Sequence, residues 1–327
     1  MCGSRVDSSN LPSGAAQRCR FRGCSFVGTA TSKSYGSNTR PWQGYTDFLA
    51  GTRNEAGLVK GGLGDWYDWT PENGHQGPSQ LTPAELPATC MLYDNARILQ
   101  QAATLLGKAD EARKWQHLAE EVRRDFQAAY YDEKNKTVAT GSQSALALGL
   151  YFNLVPNEDR DAVLANLVRN LETAQYRPSA GEVCFRYLVL ALAEAGRSDV
   201  VYRIINRTDA PGYGCMLRQH GLKTLSERWD RPGSSLNHCM FGHIQEWFQK
   251  YLLGIRQAPG STGYDKVLVD PFTPDDLQWA KGSFDSPNGR IEVAWRKKDG
   301  VVEVTVNAEK AEVIVPRERK DVTWKIE

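Results

Sequence analysis

The stretch GEVCFRYLVLALAEAGRSDVVYRIIN, residues 181–206, decides the fold. Apolar residues recur every three or four positions over residues 181–195 and again over residues 198–206, the spacing of helices that bury one face. Gly196-Arg197 separates the two runs, and glycine is the usual residue just beyond a helix end. The stretch therefore predicts two consecutive helices that pack on each other as a helical hairpin.

The same helical pattern fills the middle of the chain. Residues 109–131 place Trp115, Leu118, Val122 and Phe126 on one face. Further helices are predicted around residues 91–106 and over residues 142–152, 157–173 and 236–253. Because no strand separates these helices, the sequence predicts a mainly α domain made of helical hairpins.

The pattern changes on either side of this helical region. Residues 267–269, 290–296, 301–306 and 312–315 alternate apolar with polar residues, and turn residues occur at 285–289 and 298–300. These features predict a small β-sandwich over residues 257–327. Residues 1–40 are rich in Ser, Gly, Arg and Thr and lack periodicity, so they predict a disordered or unrelated head. The helical domain is thus assigned to residues 41–256.

Composition narrows the range of functions. The formal net charge is only +1, which argues against a polyanionic partner such as nucleic acid. No apolar run approaches the roughly 20 residues that a membrane helix needs, so a membrane partner is not expected. The sequence has no GxxxxGK[ST] or GxGxxG phosphate-binding loop, which argues against kinases and dehydrogenases, and no GxSxG motif.

Cysteines and histidines indicate neither a metal site nor a disulfide framework. The seven cysteines form no CxxC pair, and the five histidines lack the spacing of a zinc site. Cys90, Cys184 and Cys239 lie among apolar residues, where a free thiol behaves as a small hydrophobic group. We therefore expect no metal and no cofactor, and a reducing, cytoplasmic compartment.

The segment GLGDWYDW, residues 62–69, combines aromatic and acidic side chains in a glycine-rich loop. A sugar ring has a face of C–H groups that an indole can cover, and hydroxyl groups that can donate to a carboxylate. Asp65 and Trp66 are therefore candidate sugar-binding residues. The alternative is a rigid loop in which the tryptophans belong to the core and an aspartate caps the next turn.

The segment TLSERWD, residues 224–230, is the second candidate. Glycoside hydrolysis requires two carboxyl groups across the scissile bond, one to protonate the leaving oxygen and one to activate water or attack directly. Glu227 is the candidate carboxylate, with its basicity tuned by Arg228 or Asp230. The alternative is a surface cluster of salt bridges. His238 could bond a hydroxyl group or a carboxylate, although a lone histidine is more often structural.

Taken in chain order, these segments resemble the bacterial α-L-rhamnosidase family, glycoside hydrolase family 78. The resemblance covers about residues 45–316, and the order of the motifs makes it specific, since GDW or ERWD alone would be weak. The matching segments are GLGDWYD (62–68), TGSQ (140–143), RTDAPGYG (207–214), TLSERWD (224–230), SLNHCMFG (235–242), EWF (246–248), LGI (253–255), DP (270–271), SPNG (286–289) and AW (294–295).

The resemblance implies an (α/α)6 barrel followed by a β-sandwich, and hydrolysis of terminal α-L-rhamnosides with inversion of configuration. By similarity, Glu227 is the general base that activates water. Trp66 corresponds to a tryptophan of the sugar pocket and His238 to a histidine at its rim. Asp65 and Trp229 are adjacent substrate-binding candidates. The expected partner is a rhamnose-containing glycoside or oligosaccharide.

One family feature has no counterpart here. The family's general acid belongs to an Arg/Glu-rich motif ending in Gly-Trp, well over a hundred residues before the GDW segment, whereas 64 residues precede Asp65. The helical pattern also accounts for fewer than the twelve helices of a complete barrel. We therefore expect the C-terminal part of a rhamnosidase, with an incomplete barrel, that is inactive alone for want of its acid.

Two other functions fit the same residues. A non-catalytic carbohydrate-binding remnant would use Trp66 and Trp229 as platforms and would bind sugar without hydrolysis. Another (α/α)6 glycosidase or a polysaccharide lyase would keep the fold but change the chemistry. A lyase would be recognised by its unsaturated, ultraviolet-absorbing product.

Overall fold

The computed structural model describes residues 32–70, 77–229 and 235–327, with side chains from residue 39 onwards. Helices fill its first two thirds and strands the last third. The helices are α1 (Ser32–Gly51), α2 (Glu85–Leu105), α3 (Ala109–Tyr130), α4 (Gln143–Tyr151), α5 (Arg160–Thr173), α6 (Phe185–Glu194), α7 (Ser198–Ile205) and α8 (Ile244–Trp247). Short 3-10 or π-helical turns cover Asn157–Asp159, Cys215–Gln219, Cys239–His243 and Phe248–Leu252.

The helices form two layers that burial distinguishes. Helix α4 buries every residue from Gln143 to Leu150, and helix α6 is buried along almost its whole length. Helix α3, by contrast, buries only one stripe, which includes Trp115, Val122 and Phe126. A helix that is apolar all round lies inside a protein, and one with a single apolar stripe covers it. Accordingly α2, α4, α6 and α8 form an inner row, and α3, α5 and α7 pack outside it.

Each outer helix runs into the next inner helix through a loop at the same end of this double layer. Three contacts join the loops. Trp69 N–H donates to Ser179 O at 2.9 Å, the Thr140 hydroxyl donates to Leu81 O at 2.7 Å, and Trp229 Nε1–H donates to Ala180 O at 3.2 Å. The GLGDWYD, TGSQ and TLSERWD motifs therefore lie on loops at one end of the helical domain.

The C-terminal domain consists of two sheets around one core. The first two strands of the chain do not belong to this domain: β1 (Tyr131–Asp132) and β2 (Thr137–Val138) form a small hairpin within the helical domain. The C-terminal strands are β3 (Ile255–Gln257), β4 (Lys266–Val269), β5 (Trp279–Ser286), β6 (Gly289–Lys298), β7 (Val301–Ala308), β8 (Glu312–Ile314) and β9 (Val322–Ile326). One sheet has the order β3-β4-β8 and the other β5-β6-β7-β9. Ile255 and Val267 of the first sheet share a core with Val293 and Val304 of the second.

The two domains are in direct contact. Trp295 Nε1–H donates to Leu252 O at 2.8 Å across the boundary. Phe272 packs edge-on against Trp247, with ring centroids 6.2 Å apart. Gly254 has a left-handed φ of 75°, and its backbone lies so close to Asp270 that a Cβ would be 2.3 Å from the Asp270 carbonyl carbon. Only glycine fits this junction.

The predicted fold class is confirmed: a six-hairpin helical domain precedes a β-sheet domain. Helix α1 nevertheless begins at Ser32 and runs through Pro41. From the sequence, ordered structure was predicted to begin only near Pro41. Proline lacks an N–H and favours helix starts, so Pro41 was a misleading marker. Residues 1–31 lie outside the described residues.

Other differences concern the end of the helical domain and the β domain. The helix predicted over residues 236–253 is a succession of 3-10, α and π-helical turns that begins at Cys239. Cys239 is exposed, not packed among apolar residues as predicted, whereas Cys90 and Cys184 are buried. Strands β3, β5 and β9 were not predicted. None of the described helices is long and apolar enough to cross a membrane.

Candidate active site

The loop of residues 64–70 is fixed by Asp65. Its carboxylate accepts hydrogen bonds from Ser144 Oγ at 2.5 Å, Gly181 N–H at 2.9 Å and Cys184 N–H at 2.9 Å. Burial raises the pKa of Asp65 to about 6, against the lowering effect of these donors. No part of Asp65 is exposed. The predicted direct contact between Asp65 and a sugar does not fit this position, because its oxygens already accept three hydrogen bonds from two other segments.

Asp68 fixes the following part of the loop. Its carboxylate accepts hydrogen bonds from the backbone N–H groups of Gln80 at 2.8 Å, Leu81 at 2.7 Å and Thr82 at 3.3 Å, and from the Ser79 hydroxyl at 3.2 Å. Burial raises its pKa despite these donors. This is the capping role that the sequence left open as the alternative for this segment.

Trp66 lies between the two aspartates and remains half-buried. Its carbonyl accepts from Glu182 N–H at 2.9 Å. Its ring packs on Gly77 and lies edge-on to Tyr67, with ring centroids 5.5 Å apart. Tyr67 has φ of 59°, a left-handed conformation that non-glycine residues rarely adopt. The constrained backbone holds the Trp66 indole at the edge of the site.

The loop of residues 64–70 and the segment before α6 touch through their backbones. A Cβ on Gly181 would lie 2.2 Å from Trp66 O, 2.6 Å from Asp68 N and 2.9 Å from Asp65 O. Glycine is therefore required by space at this position, although its φ is not left-handed. This approach places Glu182, the next residue, beside Trp66.

Trp229 anchors the third segment of the site. It is fully buried, and its ring lies 3.7 Å from the Phe241 ring centroid and 4.9 Å from that of Phe185. Its Nε1–H donates to Ala180 O at 3.2 Å. Trp229 cannot serve as a sugar platform in this structure, because none of it is exposed and its N–H already donates to Ala180 O. Asp230, its predicted companion, lies outside the described residues.

Glu227 and His238 are brought together by this anchored segment. Glu227 N–H donates to Ser235 O at 3.1 Å, and His238 N–H donates to Leu225 O at 2.9 Å. Both side chains are half-buried. The adjacent Arg228 guanidinium lies 5.4 Å from the Tyr67 ring centroid, which links this segment to the loop of residues 64–70.

Glu182 is a site residue that the sequence did not reveal. It is 7% exposed, and its Oε2 lies 2.7 Å from His238 Nε2. Burial, with the nearby charges of Glu227 and Asp65, raises the pKa of Glu182 to about 8. The only sequence signal was a carboxylate directly before a fully apolar helix, which commonly marks a helix start and nothing more.

Trp66, Glu182, Glu227 and His238 thus meet at the loop end of the inner helices, with Asp65 and Trp229 packed beneath them. Among the described residues, no group of three or more His, Cys, Asp or Glu side chains could hold a metal ion. Two carboxyl groups, an imidazole and a half-exposed indole on a double layer of helical hairpins define the class of six-hairpin glycosidases.

Comparison with known families makes this class specific. Residues 33–252 match the bacterial alpha-L-rhamnosidase 6 hairpin glycosidase domain, and residues 254–325 match the bacterial alpha-L-rhamnosidase C-terminal domain. The chain belongs to the bacterial α-L-rhamnosidase family, as its motifs predicted.

Individual relatives agree with this assignment. An alpha-L-rhamnosidase of Streptomyces avermitilis is 30% identical over 273 residues, which are 80% of this chain and 25% of the relative. The solved alpha-L-rhamnosidase of Dictyoglumus thermophilum superposes with a TM-score of 0.85 at 25% identity, over 96% of this chain and 36% of the other. The Streptomyces avermitilis enzyme complexed with L-rhamnose gives 0.78 at 26% identity, over 89% of this chain and 28% of the other. The chain thus spans about a third or less of these relatives.

Proposed function

We propose that this chain carries the water-activating half of a glycoside hydrolase that cleaves terminal α-L-rhamnosides with inversion of configuration. The observation that carries the proposal is the position of Glu227, half-buried and beside Glu182, His238 and Trp66 at the loop end of the inner helices. The S. avermitilis relative solved with L-rhamnose supports this choice of sugar.

In the proposed reaction, the Glu227 carboxylate removes a proton from a water molecule as the water oxygen attacks the anomeric carbon. The bond from that carbon to the leaving oxygen breaks, and the leaving oxygen takes a proton from a general acid that we do not assign to a described residue. The Trp66 indole covers the C–H face of the sugar, and His238 bonds a hydroxyl group. Asp65 and Trp229 support these side chains from below.

The leaving group provides the sharpest test. A nitrophenyl α-L-rhamnoside needs little protonation to depart, whereas an alkyl α-L-rhamnoside requires the acid. We expect slow release of nitrophenol by the chain, no cleavage of the alkyl glycoside, and loss of nitrophenol release in Glu227→Gln. The matched control is Glu318→Gln, the same change at an exposed position of the β domain.

Each other outcome is informative. Turnover that Glu227→Gln leaves intact would remove Glu227 from the mechanism. Binding of L-rhamnose in titrations without any hydrolysis would favour the carbohydrate-binding alternative, with Trp66 as its platform. An ultraviolet-absorbing product would indicate a lyase.

Inversion has a separate readout. Proton NMR during the first turnovers should show the β-anomer of L-rhamnose before mutarotation equilibrates the two anomers. Initial release of the α-anomer would contradict a base-activated single displacement.

We also propose a reducing, cytoplasmic compartment. The support is chemical: Cys90 and Cys184 are buried and in no disulfide among the described residues. Fractionation of native cells, with the protein recovered outside the cytosolic fraction, would refute it.

A further inference from the structure

A short contact between Glu182 and His238 stands out beside the proposed base. Glu182 Oε2 lies 2.7 Å from His238 Nε2, and the Glu182 side chain is 9% exposed. That oxygen makes no hydrogen bond of good geometry within the described ranges. The two atoms are nevertheless close enough to share a proton.

The surroundings of Glu182 oppose a negative charge on it. The carboxyl group is buried at the start of α6, with Glu227 facing it from the 224–238 segment and Asp65 from the 64–70 loop. His238 is the cationic or proton-bearing partner within reach. One proton between Glu182 and His238 makes the pair neutral or a compensated ion pair, and in either state the pair adds no net negative charge beside Glu227.

We propose that Glu182 is a positioning residue that shares one proton with His238 and fixes the orientation of its imidazole. With Nε2 held by Glu182, Nδ1 is the ring nitrogen that meets a sugar hydroxyl, since the tautomer is set by the bond the other nitrogen makes. Glu182 thereby acts on the sugar through His238. The role of this contact toward a sugar rests on the proposed function, but the sharing of the proton does not.

The proton sharing is tested on the free protein by NMR. The imidazole resonance of His238 is assigned by its loss in His238→Gln and followed from pH 5 to pH 9.5. In the wild type we expect two steps, because a coupled pair loses its protons in two stages. In Glu182→Gln we expect a single step, and Glu318→Gln should reproduce the wild type. Superimposable curves for wild type and Glu182→Gln would overturn the proposal.

A variant that merely fails to fold is recognised by circular dichroism and urea unfolding at pH 6. Glu182→Ala provides a second folded test, since it also removes the carboxyl group and should also give a single step. A purely structural role for Glu182 would change unfolding and leave the number of titration steps unchanged.

Action through His238 is tested by a double-mutant cycle on L-rhamnose affinity. We expect Glu182→Gln to weaken binding at pH 6 about tenfold, the equivalent of one hydrogen bond that involves a charged group. In the His238→Gln background, the same change should have less than a twofold effect. Two effects that multiply fully would overturn action through His238.

The two proposals fail in different ways. If the wild type does not bind L-rhamnose but His238 titrates in two steps, the sugar assignment is refuted and the proton-sharing pair stands. If L-rhamnose binds but Glu182→Gln changes neither affinity nor titration, the pair is refuted and the sugar assignment stands.

Discussion

Replacing Gly181 with alanine tests the close approach on which the site is built. The new Cβ would lie 2.2 Å from Trp66 O and 2.6 Å from Asp68 N, and both are backbone atoms that no side-chain rotation can move. Real Cβ contacts stay above 3.0 Å. The loop of residues 64–70 must therefore move away from α6 by at least about 0.8 Å.

That displacement has a calculable cost. Overpacking of this kind typically costs 1–3 kcal/mol, and the bonds Gly181 N–H to Asp65 and Glu182 N–H to Trp66 O, each 2.9 Å long, would lengthen. At about 1 kcal/mol for each weakened bond, we expect Gly181→Ala to lower the free energy of unfolding by about 3–5 kcal/mol.

The assay is urea unfolding followed by tryptophan fluorescence and far-UV circular dichroism, with equal slopes required for the comparison. The matched control is Gly44→Ala, within helix α1, where a Cβ would meet nothing within 4 Å. Alanine is the better helix former, so this control should raise stability by about 0.5–1 kcal/mol. If Gly181→Ala were as well tolerated as Gly44→Ala, Gly181 would not pack against the loop of residues 64–70, and the described position of Glu182 beside Trp66 would be wrong.

Two further predictions concern buried contacts. Burial acts to raise the pKa of Glu246, but Arg186 and Lys250 lower it from 4.5 to about 2. The ionised carboxylate therefore stabilises the folded protein above pH 4.5, and this stabilisation is lost as the pH falls towards 2. At about 1.4 kcal/mol per pKa unit, it amounts to about 3 kcal/mol. Unfolding free energies measured from pH 2 to pH 6 should show this loss in the wild type. Glu246→Gln should depend less steeply on pH, and equal pH dependence of the two proteins would contradict the prediction. Trp295→Phe removes the hydrogen bond to Leu252 O between the domains and should lower the free energy of unfolding in urea by about 1–2 kcal/mol. The control Trp279→Phe changes a side chain that is 65% exposed and should lower it by less than about 0.5 kcal/mol. Similar losses for both variants would contradict the role of that bond.

The helical layers could be predicted because each helix carries its own burial signal. Residues 143–150 are buried throughout and read as apolar in the sequence. The type of helix over residues 236–253 could not be predicted in this way, because an apolar stripe does not distinguish an α-helix from the 3-10 and π-helical turns observed there. Strand β5 was missed for a different reason. Its burial alternates from residue to residue, but the less exposed positions include Gly282 and Ser286 and the exposed ones include Trp279, so the residue types show no apolar–polar alternation.

The site was predictable only at the level of its segments. The motifs lie on loops that the structure brings together, but the direction of each side chain depends on partners far away in sequence. Asp65 is buried because Ser144 and Cys184, from two other loops, donate to its carboxylate. Local sequence around Asp65 carries no trace of those donors, so a structural aspartate and a sugar-binding aspartate look alike.

Three carboxyl groups lie at the site, those of Asp65, Glu182 and Glu227. Their burial and charge support Glu227 as the proposed base independently of the family resemblance. Asp65 is fully buried, and its oxygens accept three protein hydrogen bonds, so it cannot reach a substrate water. Glu182 is almost fully buried, and burial raises its pKa to about 8, so this carboxyl group is a poor base at neutral pH. Glu227 alone among these three is half-exposed, so water can approach its carboxylate. If Glu182 and His238 share one proton, as proposed, the pair adds no net negative charge beside Glu227, which supports Glu227 as the proposed base.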